Sequence, residues 1–108
     1  MVKSEMTQAK INECINLVRV GNRKINEIRI GENESSKHRD KKIEVCTELI
    51  KQGKSFITEA IFKIGGRADI LVLDDFRVIE IMHSEKEFSI TEKRKQYPID
   101  LRLEVIKV

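Results

Sequence analysis

The sequence predicts an α/β domain built from the succession helix, strand, strand, strand, helix, strand. Three observations predict it. The segment "SSKHRDKKIEVCTELIKQGK" has the pattern of an amphipathic helix, three strand-like runs follow it across short turns, and a second helix pattern precedes a final alternating run. A chain of 108 residues fits one compact domain. We divide this domain into an N-terminal extension, residues 1–34, and a core, residues 35–108.

The N-terminal extension carries weaker signals than the core. The stretch "SEMTQAKINECINL" predicts a short helix capped by Ser4 or Thr7, because both residue types cap helices well. Two short β-rich runs in "INLVRVGNRKINEIRIG" flank the turn sequence Gly21-Asn22. The extension is therefore expected to form a helix and then a hairpin.

The core begins with an amphipathic helix. Serines precede it as caps, apolar residues at Ile43, Cys46 and Ile50 define one side of it, and Gly53 ends it. The next run, "SFITEAIFKI", is rich in β-branched and aromatic residues and stops at a Gly-Gly pair. It predicts the first strand of the core.

Two more strands, a helix and a last strand follow. The run "ADILVLD" is nearly all apolar, as a strand covered on both faces should be, and "DDF" turns the chain into "RVIEIMH". The segment "SEKEFSITEKRKQY" predicts a helix capped by Ser84, with basic residues in its last turn and Pro98 after its end. The tail "IDLRLEVIKV" alternates apolar and polar residues and predicts the final strand.

Composition sets limits on function without fixing it. Charged residues make up 36% of the chain, a share typical of heat-adapted proteins, and the net charge of +3 permits a nucleic-acid partner but does not require one. Cys14 and Cys46 stand in no zinc-binding spacing, and a buried thiol is the simpler interpretation of Cys46. No apolar run approaches the ~18 residues of a membrane span, and the N-terminus has no signal-peptide pattern. We expect a cytoplasmic protein with no membrane contact.

Three acidic residues stand in segments that otherwise predict buried strands. Glu59, Asp69 and Glu80 each lie in a different strand, and an unpaired carboxylate in such a place costs several kcal/mol. If the strands are neighbours, the carboxylates gather at one edge of the sheet, where a divalent cation such as Mg²⁺ relieves their repulsion. The alternative is that each acid pairs with a basic neighbour such as Arg67 or Lys63, or faces solvent.

The order of these segments resembles the PD-(D/E)xK nuclease superfamily. The motifs "TEAIFK", "GGRADILVL" and "RVIEIMHSE" follow one helix and precede another, as in that superfamily, and the resemblance covers residues 35–108. Within it, the chain is most similar to small archaeal or viral nuclease-like proteins and to the CoiA-like competence group. The resemblance implies a restriction-endonuclease-like core with a mixed sheet flanked by helices. It also implies Mg²⁺ or Mn²⁺ as cofactor, DNA as partner, a homodimer, and the host-cell cytoplasm as location if the protein is viral.

The resemblance also assigns roles to individual residues. Glu59, Asp69 and Glu80 match the metal-binding and catalytic acids. Residues that match nucleic-acid-binding positions are His38 and Lys42 of an HxxxK pattern, Arg67, Ser84, Lys93 and Tyr97. Surface or capping positions would explain His38 equally well, and Tyr97 is also compatible with a place in the core.

One position departs from the superfamily pattern. The residue two after the third acid is usually lysine, which helps to orient the attacking water, but here it is Met82. A thioether carries no charge and donates no hydrogen bond. Lys63, on the same strand face as Glu59 by alternation, and Lys93, on the helix after the third strand, are candidates for the displaced role. The sequence thus predicts a metal-dependent deoxyribonuclease, of which a Holliday-junction resolvase is a narrower version, or alternatively a nuclease-like module that binds DNA or assembles without cleaving.

Overall fold

The computed structural model describes residues 3–82 and 87–108. Its helices are α1 (Glu5–Ile15), α2 (Ser36–Lys51) and α3 (Glu87–Arg94), with a short 3-10 turn at Val20–Asn22. Its strands are β1 (Phe56–Ile61), β2 (Arg67–Val72), β3 (Arg77–Met82) and β4 (Arg102–Lys107). The predicted succession of core elements is confirmed. Among the described residues, no helix has both the length and the apolar character needed to cross a membrane.

The four strands form one mixed sheet in the order β1-β2-β3-β4. β1, β2 and β3 pair antiparallel through short turns, whereas β4 runs parallel to β3 after the crossover through α3. Each face of the sheet carries its own hydrophobic cluster. One cluster contains Ile11 and Cys14 of α1, and the other contains Cys46 and Leu49 of α2. The fold is therefore an α/β sandwich with helices on both faces of the sheet.

The buried side of α2 differs from the one predicted. Lys42, Cys46 and Leu49 are its buried residues, while Ile43 and Ile50 are 40% and 50% exposed. Residues four and three apart share one helix face, so Lys42 occupies a position that the amphipathic pattern reserves for an apolar residue. A lysine at such a position has to be neutralised by acids within the fold.

The N-terminal extension covers the outer edge of β1. α1 begins after Ser4, whose hydroxyl oxygen accepts a hydrogen bond from the Thr7 N–H, as predicted. The predicted hairpin is wrong, because residues 16–34 form no strand and make only an isolated bridge, from Val18 to Phe62. Arg19 donates its N–H to the carbonyl of Ile61 over 2.9 Å. The β-rich runs of the extension thus satisfy an open sheet edge instead of pairing with each other.

Candidate functional site

The backbone of β1 changes direction at Glu59. Phe56 packs in the cluster on the α2 side and Ile57 in the cluster on the α1 side. Strict alternation would return Ala60 to the side of Phe56, but Ala60 packs with Ile57. Glu59 has a φ of +51°, a left-handed conformation that costs a residue with a side chain about 1–2 kcal/mol. This strained residue swaps the two faces of the strand.

β2 changes face at the matching position. The register of β1 and β2 is the same on both sides of Glu59, so Asp69 stands opposite it although these two residues do not pair. Ile70 packs on the α2 side, whereas Ala68, two residues earlier, packs on the α1 side. Both strands therefore swap faces at an acidic residue, and the two acids are neighbours across the pair.

The Asp69 side chain replaces a backbone hydrogen bond between β2 and β3. The backbone register of these strands ends at Ile70 and Ile79, so Glu80 is the next residue opposite Asp69. The Ile81 N–H donates to Oδ2 of Asp69 over 2.8 Å. The three acids thus lie at one level across three neighbouring strands, but their carboxylates do not form one group among the described residues.

Glu80 keeps its proton at neutral pH in the folded protein. It is 4% exposed, its Oε1 accepts a hydrogen bond from the Tyr97 hydroxyl, and its side chain is hydrogen-bonded to that of Asp69. Burial, together with the hydrogen bond and the charge of Asp69, raises the pKa of Glu80 to about 9. Burial alone would raise the pKa of Asp69 too, but hydrogen bonds from Glu80 and from the Ile81 N–H hold it below its usual value. The pair therefore carries one proton near neutral pH.

Glu59 belongs to a different network, centred on Lys42. The side chain of Lys42 is fully buried, and its Nζ donates to Oε1 of Glu59 over 2.8 Å, to the carbonyl of Arg29 over 3.0 Å, and to Oε1 of Glu34. Burial alone would lower the pKa of Lys42, but the two carboxylates raise it above its usual value. Burial likewise opposes the ionisation of Glu34, and the hydrogen bond from Lys42 lowers its pKa nevertheless. All three donors of the ammonium group are satisfied, which makes a buried lysine tolerable here.

A cavity of about 780 Å³ opens above these residues. The loop of residues 29–35 forms one wall, and four of the predicted site residues, His38, Glu59, Arg67 and Asp69, line the rest together with Asn22 and Ile61. His38 lies with Nε2 3.2 Å from Oδ2 of Asp69, and Arg67 lies with Nε 3.4 Å from Oε2 of Glu59. The Arg67 side chain is 69% exposed and reaches the mouth of the site.

Two nucleic-acid contacts expected from the sequence are wrong. Lys42 is fully buried and cannot meet a phosphate at the surface. Tyr97 is 5% exposed, its ring packs edge-on against Phe62 at 5.7 Å, and its hydroxyl bonds Glu80, so it cannot stack on a base. Ser84 lies outside the described residues.

The two candidates for the displaced lysine role differ. Lys63 is exposed in the turn after β1, so the idea that it shares a strand face with Glu59 is wrong. Lys93 is half-buried on α3, and its charge acts to lower the pKa of Glu80. Met82 is 2% exposed at the end of β3, where its side chain is part of the protein interior.

The three acids do not form one common cation site. Within residues 3–82 and 87–108, no group of three or more His, Cys, Asp or Glu side chains is arranged to hold a metal ion. Glu59 does not complete a three-acid set, because Lys42 and Arg67 occupy its two oxygens. Asp69 and Glu80 remain as two adjoining carboxylates that share a proton. Mg²⁺ is often held by one or two carboxylates with several waters; of this pair, Asp69 lines the cavity and Glu80 is buried next to it.

The sequence interpretation missed two residues that shape the site. The Asn22 side chain accepts from the Ile61 N–H over 2.6 Å and donates to the Glu59 carbonyl over 3.1 Å, which fixes the strained turn of β1. Glu34 was also missed. It precedes the Ser35 cap and lies outside α2, so helical spacing does not signal its contacts with Lys42 and His38.

Comparisons with known proteins leave the site to be interpreted on its own geometry. No family model, no curated protein and no solved structure matches the chain.

Proposed function

We propose that the protein is a metal-dependent nuclease of the PD-(D/E)xK type that hydrolyses DNA phosphodiester bonds, with Mg²⁺ or Mn²⁺ held by Asp69 and Glu80. One observation carries the proposal. Asp69, which lines the cavity, shares a proton with Glu80, which is buried behind it on the neighbouring strand, and a divalent cation can take the place of that proton. When bound, the cation would neutralise charge on a phosphoryl oxygen and acidify a water molecule.

The charges around the cavity support the same proposal. Four carboxylates and two guanidinium groups line it, and buried Lys42 adds one positive charge behind the wall. The lining is thus net negative and repels a phosphate until a divalent cation reverses the balance. Arg67 is the exposed cation best placed to bind the backbone phosphate of DNA, and His38 lines the same cavity.

The position of Lys93 offers a substitute for the absent motif lysine. Its charge already acts on Glu80 and favours the ionised carboxylate. A lysine beside this carboxylate would stabilise the ionised form on which cation binding depends. We therefore assign Lys93, and not Lys63, to the role that Met82 cannot fill.

A second candidate function is a nuclease-like module that binds DNA or assembles without cleaving it. Met82 favours it, because this residue is buried at the position where the superfamily uses lysine. The residues that line the cavity also include no lysine in the part of the chain that the structure describes. Both features remove groups that would orient an attacking water.

The first experiment measures cation binding by calorimetry. Mn²⁺ is titrated into the wild type, Asp69→Asn, Glu80→Gln and the control Asp40→Asn, whose carboxylate is exposed on α2. We expect binding in the wild type and the control, with release of about one proton near neutral pH because the cation displaces the proton of Glu80. Affinity retained in both site variants would refute a cation at this pair.

The second experiment measures cleavage. Labelled single-stranded, duplex, flap and four-way-junction DNA is incubated with each variant in Mg²⁺ or Mn²⁺. Cleavage by the wild type, reduced about 100-fold or more in Asp69→Asn and Glu80→Gln but not in Asp40→Asn, is the expected result. Selective cutting of the junction would identify a resolvase. DNA binding without cleavage on any substrate would favour the second candidate.

We further propose that the protein acts as a homodimer. The N-terminal extension covers one edge of the sheet, whereas β4 forms the other edge and pairs only with β3 among the described residues. A second copy could pair with this edge strand. Light scattering should give twice the monomer mass, and a monomer mass at high protein concentration would reject the dimer.

A further inference from the structure

Two buried polar atoms at the site have no hydrogen-bond partner. They are Oε2 of Glu34 and Nδ1 of His38, and they are the unpartnered buried side-chain atoms found within residues 3–82 and 87–108. Buried polar groups are nearly always satisfied, so each exception asks for an explanation such as an ion or water. That both exceptions belong to neighbouring side chains of one cavity indicates a shared cause.

The orientation of His38 leaves Nδ1 free to act as an electron-pair donor. Its Nε2 lies 3.2 Å from Oδ2 of Asp69, and because a carboxylate oxygen accepts hydrogen bonds, the imidazole Nε2–H is the donor in this contact. In the neutral imidazole, Nδ1 then carries a lone pair. A histidine that donates one ring N–H to a carboxylate and keeps the other nitrogen bare has the arrangement typical of metal ligands.

Glu34 presents an oxygen beside that nitrogen. Its Oε1 accepts from Lys42 and lies 3.4 Å from Nδ1 of His38, a contact that does not meet hydrogen-bond geometry. Adjacent ligands of a first-row metal ion, each about 2.1 Å from it, stand about 3 Å apart, so this carboxylate and this imidazole are close to the spacing that a cation needs. The second oxygen, Oε2, is buried and has no hydrogen-bond partner among the described residues.

We infer that Glu34 and His38 form a second cation position, for a divalent first-row transition ion bound through Nδ1 of His38 and the carboxylate of Glu34. Water or substrate oxygens fill its remaining positions. The nitrogen ligand distinguishes this position from the Asp69–Glu80 pair, because imidazole favours transition ions whereas Mg²⁺ prefers oxygen ligands alone. Lys42 lowers the affinity of this position for a cation, because the ammonium group already neutralises part of the Glu34 charge.

This inference does not depend on DNA cleavage, and its test is spectroscopic. Mn²⁺ is added to the untagged protein, and pulsed electron paramagnetic resonance detects any nitrogen nucleus coupled to the bound ion. The chain has two histidines, so His83→Gln is the matched control for His38→Gln. Circular dichroism and thermal unfolding check that each variant folds.

Nitrogen coupling is expected in the wild type, in His83→Gln and in Glu80→Gln, and it should disappear in His38→Gln. Glu34→Gln should weaken Mn²⁺ binding at this position about 10-fold or more. Mn²⁺ bound without nitrogen coupling in the wild type, coupling that survives in His38→Gln, or no bound Mn²⁺ at all would overturn the inference. Coupling that persists while the wild type cuts no DNA would instead reject the nuclease proposal alone. Mg²⁺-dependent cleavage without nitrogen coupling would reject this site alone.

Discussion

Lys42 and Glu59 form an ion pair of 2.8 Å between α2 and β1, and the lysine side chain in it is fully buried. The pair joins the helix to the strained residue at which the strand changes face. Desolvation of a lysine is costly, so such a pair adds little stability compared with an apolar contact, but the loss of one partner leaves a charge uncompensated. The pair therefore acts mainly as a constraint on where Glu59 lies.

Replacement of Lys42 by methionine tests this constraint. Lys42→Met leaves Glu34 and Glu59 together without their shared cation, and we expect the free energy of unfolding to fall by about 3–5 kcal/mol. Lys37→Met, on an exposed position of the same helix, should change it by less than about 0.5 kcal/mol. Urea unfolding at neutral pH measures both. Equal stability of the two variants would show that the buried ammonium is dispensable.

The protonated state of Glu80 predicts how stability depends on pH. Folded Glu80 loses its proton near pH 9, whereas in the unfolded chain it does so near the ordinary value of 4.5. Between these values the folded protein binds more protons than the unfolded chain, so the free energy of unfolding falls as pH rises, by up to about 1.4 kcal/mol per pH unit. Glu80→Gln has no proton to lose and keeps the shape of the acid. Its pH dependence should be flatter and its stability at pH 8 higher than that of the wild type.

Urea unfolding between pH 5 and pH 8 measures this difference. Glu48→Gln, an exposed glutamate of α2, is the control and should keep the wild-type slope. If Glu80→Gln also kept that slope, Glu80 would be ionised in the folded protein and the shared proton would be refuted.

Asn22 provides a prediction about the strained strand. Its amide bonds both the Glu59 carbonyl and the Ile61 N–H, and it is 7% exposed. Asn22→Ala leaves these backbone groups without partners, so we expect a loss of about 1–3 kcal/mol in the free energy of unfolding. Asn33→Ala, at an exposed position of the cavity wall, should be nearly neutral. Amide hydrogen exchange should show faster exchange at Ile61 in Asn22→Ala, and unchanged protection there would contradict the assigned role.

The sequence predicted the core of the fold because each core element carries its own local signal. Caps, turn glycines and apolar runs depend on residues close in the chain, and these gave the order of α2, β1, β2, β3, α3 and β4 correctly. The hairpin failed for a physical reason. The β-rich runs around Gly21-Asn22 have strand propensity, but the edge of β1, far along the chain, competes for their hydrogen bonds.

The sequence predicted which acidic residues lie near one another better than it predicted the partners that they contact. Glu59, Asp69 and Glu80 do lie at one level of the sheet, as short turns between strands require. Their partners could not be read from spacing, because the turn of the backbone at Glu59 directs its carboxylate toward Lys42. A lysine in a helix is normally expected at the surface, and the burial of Lys42 follows only once the acids that neutralise its charge are known.

The turn between β1 and β2 gives the last prediction, since Gly66 lies against the chain that leads to Tyr97. A Cβ atom on Gly66 would stand 2.1 Å from the backbone oxygen of Gln96, too close for either segment to stay in place. Gly66→Ala should therefore lower the free energy of unfolding by about 1–3 kcal/mol and disturb the hydrogen bond from Tyr97 to Glu80. Gly21→Ala is the matched control, because a Cβ there meets no atom within 4 Å. Urea midpoints compare the two variants. If both unfold at the same urea concentration, the close approach of Gly66 to Gln96 does not hold in solution.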